Sequence, residues 1–202
     1  MPIWQVLPPR IVPSRFEALH GFALTRLVGR DEEIDLLLRR WVRAKTGDGQ
    51  VVLVSGEPGI GKSRLVAALA EHLHAEPHLP LRYSCSPYHQ HSTLFPFVDQ
   101  LGRAARFARD DMPAAKLEKL ESLLARAAPP EEDVALLADL LSLPASERHP
   151  LPNLSPQQKK ARTLEALIRQ LEGQARQQSV AMIFEDAHLD RPNLARTPRP
   201  HR

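Results

Sequence analysis

Apolar side chains recur every three or four residues in five stretches of the chain, which is the spacing of amphipathic helices. The five stretches cover residues 31–44, 62–73, 115–127, 133–143 and 155–177. The last stretch opens with Ser-Pro-Gln-Gln, so we predict a capping box formed by Ser155 and Gln158. In that helix we predict that four apolar residues face inward: Leu164, Leu167, Ile168 and Leu171.

Three short apolar runs predict β-strands, at residues 51–54, 81–85 and 180–184. The first run, Val-Val-Leu-Val, shows no polar alternation, which is typical of a strand covered on both faces. Because strands and helices alternate along the chain, the predicted fold class is α/β.

The composition is that of one globular domain: 202 residues, 43% hydrophobic and 25% charged. Its single cysteine, Cys85, excludes a disulfide framework and an all-cysteine metal site. We find neither a secretory signal nor an apolar run of membrane-spanning length. We therefore expect a soluble, cytoplasmic protein that has no membrane partner.

The basic charge is concentrated at the C-terminus. The net charge is +3, and residues 191–202 hold four arginines and no acid. Nucleic-acid-binding proteins carry their basic charge on the folded surface. A nucleic-acid partner is therefore not indicated.

One motif carries most of the chemistry. Residues 56–63 match the phosphate-binding pattern G-x-x-x-x-G-K-[ST], in which glycines let backbone amides converge on phosphate oxygens. Eight residues are expected to bind the nucleotide: Gly56, Glu57, Pro58, Gly59, Ile60, Gly61, Lys62 and Ser63. Lys62 would neutralise the β- and γ-phosphates, and the Ser63 hydroxyl would hold Mg²⁺. The alternative is a glycine turn that binds no ligand.

A second candidate site follows the third apolar run, where Glu185 and Asp186 stand in succession. A buried strand that ends in two carboxylates can hold hydrated Mg²⁺ and polarise the attacking water. We assign Glu185 to the metal and Asp186 to the water, and the two roles could be exchanged. Strands that end in acids are common, so this pattern is informative only together with the phosphate loop.

A cluster of histidines around the cysteine raises the alternative of a zinc site. The residues concerned are His72, His74, His78, Cys85, His89 and His91. The spacing Cys-x₃-His-x-His is not a closed zinc pattern, and there is no second cysteine to complete one. We favour a strand end and a loop beside the nucleotide pocket.

Residues 27–33 (LVGRDEE), followed by the phosphate loop, resemble the signal-transduction ATPases with numerous domains, which are relatives of the AAA and Orc-type ATPases. The resemblance implies a P-loop NTPase fold, a three-layer αβα arrangement with a parallel sheet, that binds ATP and Mg²⁺. It also implies that Val28 and Arg30 lie near the adenine.

The chain resembles more closely one bacterial architecture, in which a class III nucleotidyl cyclase domain precedes this ATPase and tetratricopeptide-like repeats follow it. The resemblance is carried by residues 4–7, 14–19, 83–90 and 184–188. It implies that residues 1–26 are a linker remnant and residues 27–188 the N-terminal part of the ATPase domain. The cyclase domain and the repeats would be its partners. Since no cyclase residues are present, we expect no cyclase activity.

Residues 189–202 depart from the family pattern after His188. With allowed codons, a one-nucleotide shift restores the family segment Trp-Ile-Asp-Pro-Thr-Ser. We therefore expect a frameshift after His188 and a disordered tail. The alternative is a natural short variant with a disordered basic end.

In this class of ATPase a further strand lies between the phosphate-loop strand and the magnesium strand and comes later in sequence. Without that strand and the lid, we expect an incomplete sheet, weak ATP binding, negligible turnover and a tendency to aggregate. The leading function is an ATP-binding regulatory module. The alternatives are a non-functional gene fragment and the ATPase part of a LuxR-type transcription regulator, for which we find no helix-turn-helix.

Overall fold

The computed structural model describes residues 27–85, 92, 94–144 and 148–187. These described residues form six α-helices and two strands in the order α1, α2, β1, α3, α4, α5, α6, β2. The helices are α1 (Asp31–Lys45), α2 (Lys62–Leu73), α3 (Phe95–Ala104), α4 (Pro113–Leu124), α5 (Glu131–Leu140) and α6 (Pro156–Ala175). The strands are β1 (Leu79–Ser84) and β2 (Val180–Glu185), and a 3₁₀ turn, Ala125–Ala127, follows α4. The chain forms two compact units, Met1–Glu76 and Pro77–Arg202.

The two strands form a small parallel sheet. Leu79 pairs with Val180 and Ser84 with Glu185, so their carboxyl ends lie side by side. The connection between them runs through α3–α6, as a parallel pair requires a long crossover. The predicted α/β class is confirmed, and so are the second and third predicted strands.

The strand predicted at residues 51–54 is wrong. In the described part of the chain, the sheet contains β1 and β2 alone, and residues 51–57 have no regular secondary structure. Val51 is 99% exposed and Leu53 is 86% exposed, while Val54 packs partly against α1 and α2. A strand forms only where a neighbour pairs with its backbone groups, and the described residues supply none here.

The first unit is built on the packing of α1 against α2. Its buried residues are Ile34 and Leu37 from α1 and Leu65 and Ala68 from α2. The C-terminal half of α1 is tied to residue 76, because Trp41 Nε1 and Lys45 Nζ both donate to the Glu76 carboxylate, at 3.1 and 2.7 Å. The apolar contacts with α1 therefore hold α2, the helix that follows the phosphate loop.

The second unit has a larger helical core. Its buried residues are Leu101, Leu120, Leu124, Val134, Leu137, Ala138 and Ala166. Asp133, which is 1% exposed, accepts two hydrogen bonds from the Arg169 guanidinium at 2.6 and 2.8 Å. This two-point contact joins α5 to α6 and compensates the buried carboxylate.

Helix α6 begins as predicted, but its buried face differs from the prediction. Gln158 N donates to Ser155 Oγ, and Ser155 N donates to Gln158 Oε1, so the capping box is confirmed. The residues that α6 buries are Thr163, Ala166 and Gln170. Two of the four predicted inward residues, Leu164 and Ile168, are 39% and 56% exposed. Leu167 and Leu171 are half-buried.

Helix α3 was not predicted from the sequence.

None of the described helices is long and apolar enough to cross a bilayer.

Candidate functional site

The phosphate loop, residues 56–63, is shaped by its glycines. Gly59 and Gly61 have φ values of +83° and +94°, in the left-handed region where a side chain is strained. Gly61 is also the residue that caps the N-terminus of α2. A Cβ on Gly56 would lie 3.0 Å from Ile60 Cγ2, which is a tight contact that requires the Ile60 side chain to shift. The loop therefore depends on glycine for both its turn and its close approach.

Lys62 is the first residue of α2, and its amine folds back over the loop. The Nζ donates hydrogen bonds to the carbonyl oxygens of Gly56 at 3.0 Å and Glu57 at 2.9 Å. Ser63 follows it in the first turn and is exposed. The amine and the N-terminal amides of α2 thus lie at the same end of the helix, where the dipole favours an anion.

Arg30, which precedes α1, reaches the same loop. Its Nη2 donates to the Ile60 carbonyl at 3.2 Å, and its Nη1 pairs with Glu33 at 2.7 Å. The hydrogen bond from Arg30 is the main cause that lowers the pKa of Glu33. Val28 is 83% exposed and accessible to a ligand.

The two candidate carboxylates lie at the carboxyl end of β2. The Glu185 side chain is 17% exposed and lies 3.7 Å from the Arg82 guanidinium. The Glu185 carbonyl accepts from Cys85 N at 3.1 Å, which extends the strand pairing by one residue. Asp186 is exposed and has φ +55°, so the chain turns sharply after the strand.

The other face of the strand pair is aromatic. The Tyr83 and Phe184 rings stack with centroids 4.5 Å apart, and Phe97 of α3 contacts both at 4.9 and 6.1 Å. Burial raises the pKa of Tyr83 to about 12. Side chains alternate across a strand, so this face is opposite to the one that carries Arg82 and Glu185.

The family described as AAA ATPase domain matches residues 26–197. The chain belongs to this family. An uncharacterized protein of Rhizobium meliloti (strain 1021) is 29% identical over 188 residues, which are 92% of this chain and 18% of that protein. The chain thus spans about a fifth of the length of this relative. No solved structure matches the chain.

Membership of the AAA ATPase domain family supports the P-loop interpretation of the α/β fold, with the sheet incomplete. The family match continues to residue 197, past residue 188, where the sequence led us to place the end of the domain. That boundary and the frameshift stay predictions. The proposed linker, residues 1–26, and the proposed tail, residues 189–202, lie outside the described residues, as does His188.

The structure brings one group of predicted site residues together in each unit. The first unit contains Arg30 and the loop from Gly56 to Ser63, and the second contains Glu185 and Asp186. Each group fits the ligand expected of the AAA ATPase domain. The loop offers converging amides and a cation, while the Ser63 hydroxyl and the Glu185 carboxylate are oxygen donors of the kind that Mg²⁺ prefers.

The zinc alternative gains no support. The part of the chain that the structure describes holds no group of three His, Cys, Asp or Glu that could bind a metal, and His89 and His91 lie outside that part.

Sequence reasoning missed Arg82, the side chain paired with Glu185. The two are about 100 residues apart, and only the register of β1 against β2 places them on one face. The sequence does show a basic residue in the preceding predicted strand. Only the register of the two strands shows that this residue lies on the same face as Glu185.

Proposed function

We propose that the chain binds Mg²⁺-ATP as a regulatory module of the AAA ATPase type. The observation that supports this proposal best is the glycine-shaped loop with the Lys62 amine folded over it, 3.0 and 2.9 Å from two loop carbonyls. An ammonium group held there is placed to exchange carbonyl oxygens for phosphate oxygens. Val28 and Arg30 would contact the base.

The remaining roles follow from donor chemistry. The Ser63 hydroxyl and Glu185 would hold Mg²⁺, and Asp186 would orient the attacking water. When bound, the metal neutralises charge on the phosphates. The Arg82 guanidinium, 3.7 Å from Glu185, would orient that carboxylate.

We further propose that the module belongs to a longer signalling protein, with a cyclase domain before it and tetratricopeptide-like repeats after it, in the cytoplasm. The length of the Rhizobium meliloti relative supports the first part, because similar sequence occurs there inside a much longer chain. The cyclase and the repeats rest on the sequence resemblance alone.

A second candidate is a chain whose fold is too incomplete to bind nucleotide. The exposure of Val51 and Leu53 directly before the phosphate loop favours it. A loop whose preceding segment is unpaired loses the rigid support that phosphate binding needs.

Calorimetric titration of the 202-residue chain with ATP and Mg²⁺ tests the proposal. We expect saturable binding that Lys62→Ala weakens about 10- to 100-fold, since a charge-assisted contact contributes about 1.5–3 kcal/mol. Lys160→Ala, an exposed lysine in α6, is the matched control and should leave binding unchanged.

Folded wild-type chain that shows no saturable binding would favour the second candidate. We also expect no measurable phosphate release. Release that Lys62→Ala abolishes would show that the expectation of negligible turnover is wrong.

A further inference from the structure

The Arg30 side chain contacts the phosphate loop at one point and α1 at another. Its Nη2 donates to the Ile60 carbonyl oxygen at 3.2 Å, and its Nη1 donates to the Glu33 carboxylate at 2.7 Å. Glu33 lies in the first turn of α1. One guanidinium group therefore joins the start of α1 to the loop, and the charge-assisted bond to Glu33 holds this group in place.

The Ile60 carbonyl and the Gly61 N–H belong to the same peptide unit. The described peptide bonds are trans, so these two groups point in opposite directions. Because the carbonyl points to Arg30, the Gly61 N–H points away from it. Gly61 is also the N-cap of α2, where the N–H groups have no partner within the helix. The contact with Arg30 thus fixes the direction of a donor at the helix end that favours an anion.

This peptide unit can rotate unless another group holds it. Gly61 has φ +94°, and glycine adopts positive and negative φ about equally well. Rotation of the 60–61 peptide would exchange the directions of the Ile60 carbonyl and the Gly61 N–H. The carbonyl oxygen carries a partial negative charge, so the rotated loop would repel a phosphate where the present loop offers a donor.

We propose that Glu33 is a positioning residue for anion binding, which holds the Arg30 guanidinium on the Ile60 carbonyl and thereby keeps the Gly61 N–H directed at the phosphate. This inference rests on the proposed function of the loop. The hydrogen bond from Arg30 is the main cause that lowers the pKa of Glu33, so the carboxylate is ionised at neutral pH. A guanidinium has further N–H donors, so Arg30 can contact a base as well.

Simple charge repulsion predicts the opposite effect from positioning. An acid near an anion site repels the anion, so its removal should raise the affinity. We expect Glu33→Ala instead to weaken the binding of inorganic tripolyphosphate about two- to fivefold, the range that an exposed ion pair supports. Calorimetric titration of the 202-residue chain measures the affinity.

Glu32→Ala is the matched control, because Glu32 lies in the same first turn of α1, is exposed and carries the same charge. It should leave the affinity for tripolyphosphate unchanged or raise it slightly. Glu33→Gln keeps an oxygen that can accept from Arg30, so its affinity should lie between those of the wild type and Glu33→Ala. In an Arg30→Ala background, Glu33→Ala should no longer weaken binding, because no guanidinium is left to hold.

The ligand-free chain tests the inference independently of nucleotide binding. The ¹H–¹⁵N resonance of Gly61 depends on the orientation of its peptide unit. We therefore expect this resonance to move or broaden in Glu33→Ala and to stay in place in Glu32→Ala. If the wild type binds neither ATP nor tripolyphosphate while the resonance still responds to Glu33, the proposed function is wrong and the control of the loop by Glu33 is supported.

Two results would overturn the inference even if the wild type binds ATP. One is a Gly61 resonance that is unchanged in Glu33→Ala. The other is an equal change of tripolyphosphate affinity in Glu33→Ala and Glu32→Ala, which would mean that the two acids act only through their charge.

Discussion

Two apolar regions of this chain end in opposite environments. Leu120, Leu124, Leu136 and Leu137 in α4 and α5 are completely buried. Residues 51–53, which are just as apolar, leave Val51 and Leu53 almost fully exposed. A helix satisfies its backbone within its own turns, so α4 and α5 need a neighbour only for their side chains. A strand needs a neighbour for its backbone as well.

The strand pair lies between these extremes. β1 and β2 pair with each other, and β1 buries Leu81 and Tyr83. The side chains of Met182 and Phe184 on β2 remain 37% and 46% exposed. Burial in this molecule therefore follows the number of partners that each segment finds, and hydrophobicity alone does not determine it.

Truncating one leucine in each of the two extremes should give the largest contrast. We expect Leu137→Ala to lower the free energy of unfolding by about 3–4 kcal/mol, because it leaves a cavity in a fully enclosed core. The measurement is urea denaturation followed by circular dichroism at 222 nm.

Leu53→Ala is the matched variant in the exposed segment and should change stability by less than about 0.5 kcal/mol. A loss for Leu53→Ala close to that for Leu137→Ala would mean that residues 51–54 are buried in solution. The comparison between the two regions would then fail.

Local chemistry was the part of the fold that the sequence predicted best. The capping box at Ser155 depends on side chains three residues apart, and the structure contains both of its hydrogen bonds. The left-handed glycines of the phosphate loop are of the same kind, since the motif itself requires them.

What depends on partners could not be predicted in the same way. In α6 the leucines suggested one buried face, but the residues that the helix buries are Thr163, Ala166 and Gln170. Helix α3 (Phe95–Ala104) is an exception that could have been predicted, because its apolar and charged residues lie on opposite sides of a helix. The pair Arg82–Glu185 required the register of two distant strands.

The intermediate region can be tested through the pKa of Tyr83, which burial raises from 10 to about 12. The neutral phenol is favoured in the folded state, so the stability that Tyr83 contributes is present below pH 10. It should be lost as the pH rises through 12, by about 2–3 kcal/mol in total. Denaturation at a series of alkaline pH values measures the loss.

Tyr83→Phe is the control, because it keeps the ring stacked on Phe184 and removes the titrating group. The stability of the wild type relative to that of the variant should fall by this amount across the range, because the variant has no phenol to ionise. If the difference is independent of pH, the face of the strand pair is hydrated, and the strand pair then resembles residues 51–53 more than the helical core.

The smallest expected effect concerns the capping box of α6, and it tests whether local contacts stabilise the helices. Ser155→Ala removes the side chain that accepts from Gln158 N at the start of α6, and it should cost about 1 kcal/mol. If local interactions at its N-terminus stabilise α6, the free energy of unfolding should fall by this amount. The m-value, which is the dependence of that free energy on denaturant concentration, should not change. Urea titration gives both quantities.

Ser122→Ala makes the same chemical change inside α4, where the serine hydroxyl donates to the Glu118 carbonyl one turn earlier. There alanine is the better helix former, so stability should rise slightly or stay constant. Opposite signs for the two serines would show that position within the helix, and not loss of the hydroxyl, determines the effect. Equal losses would mean that removal of the hydroxyl, and not its position in the helix, determines the effect, which would contradict local specification of α6 by its cap.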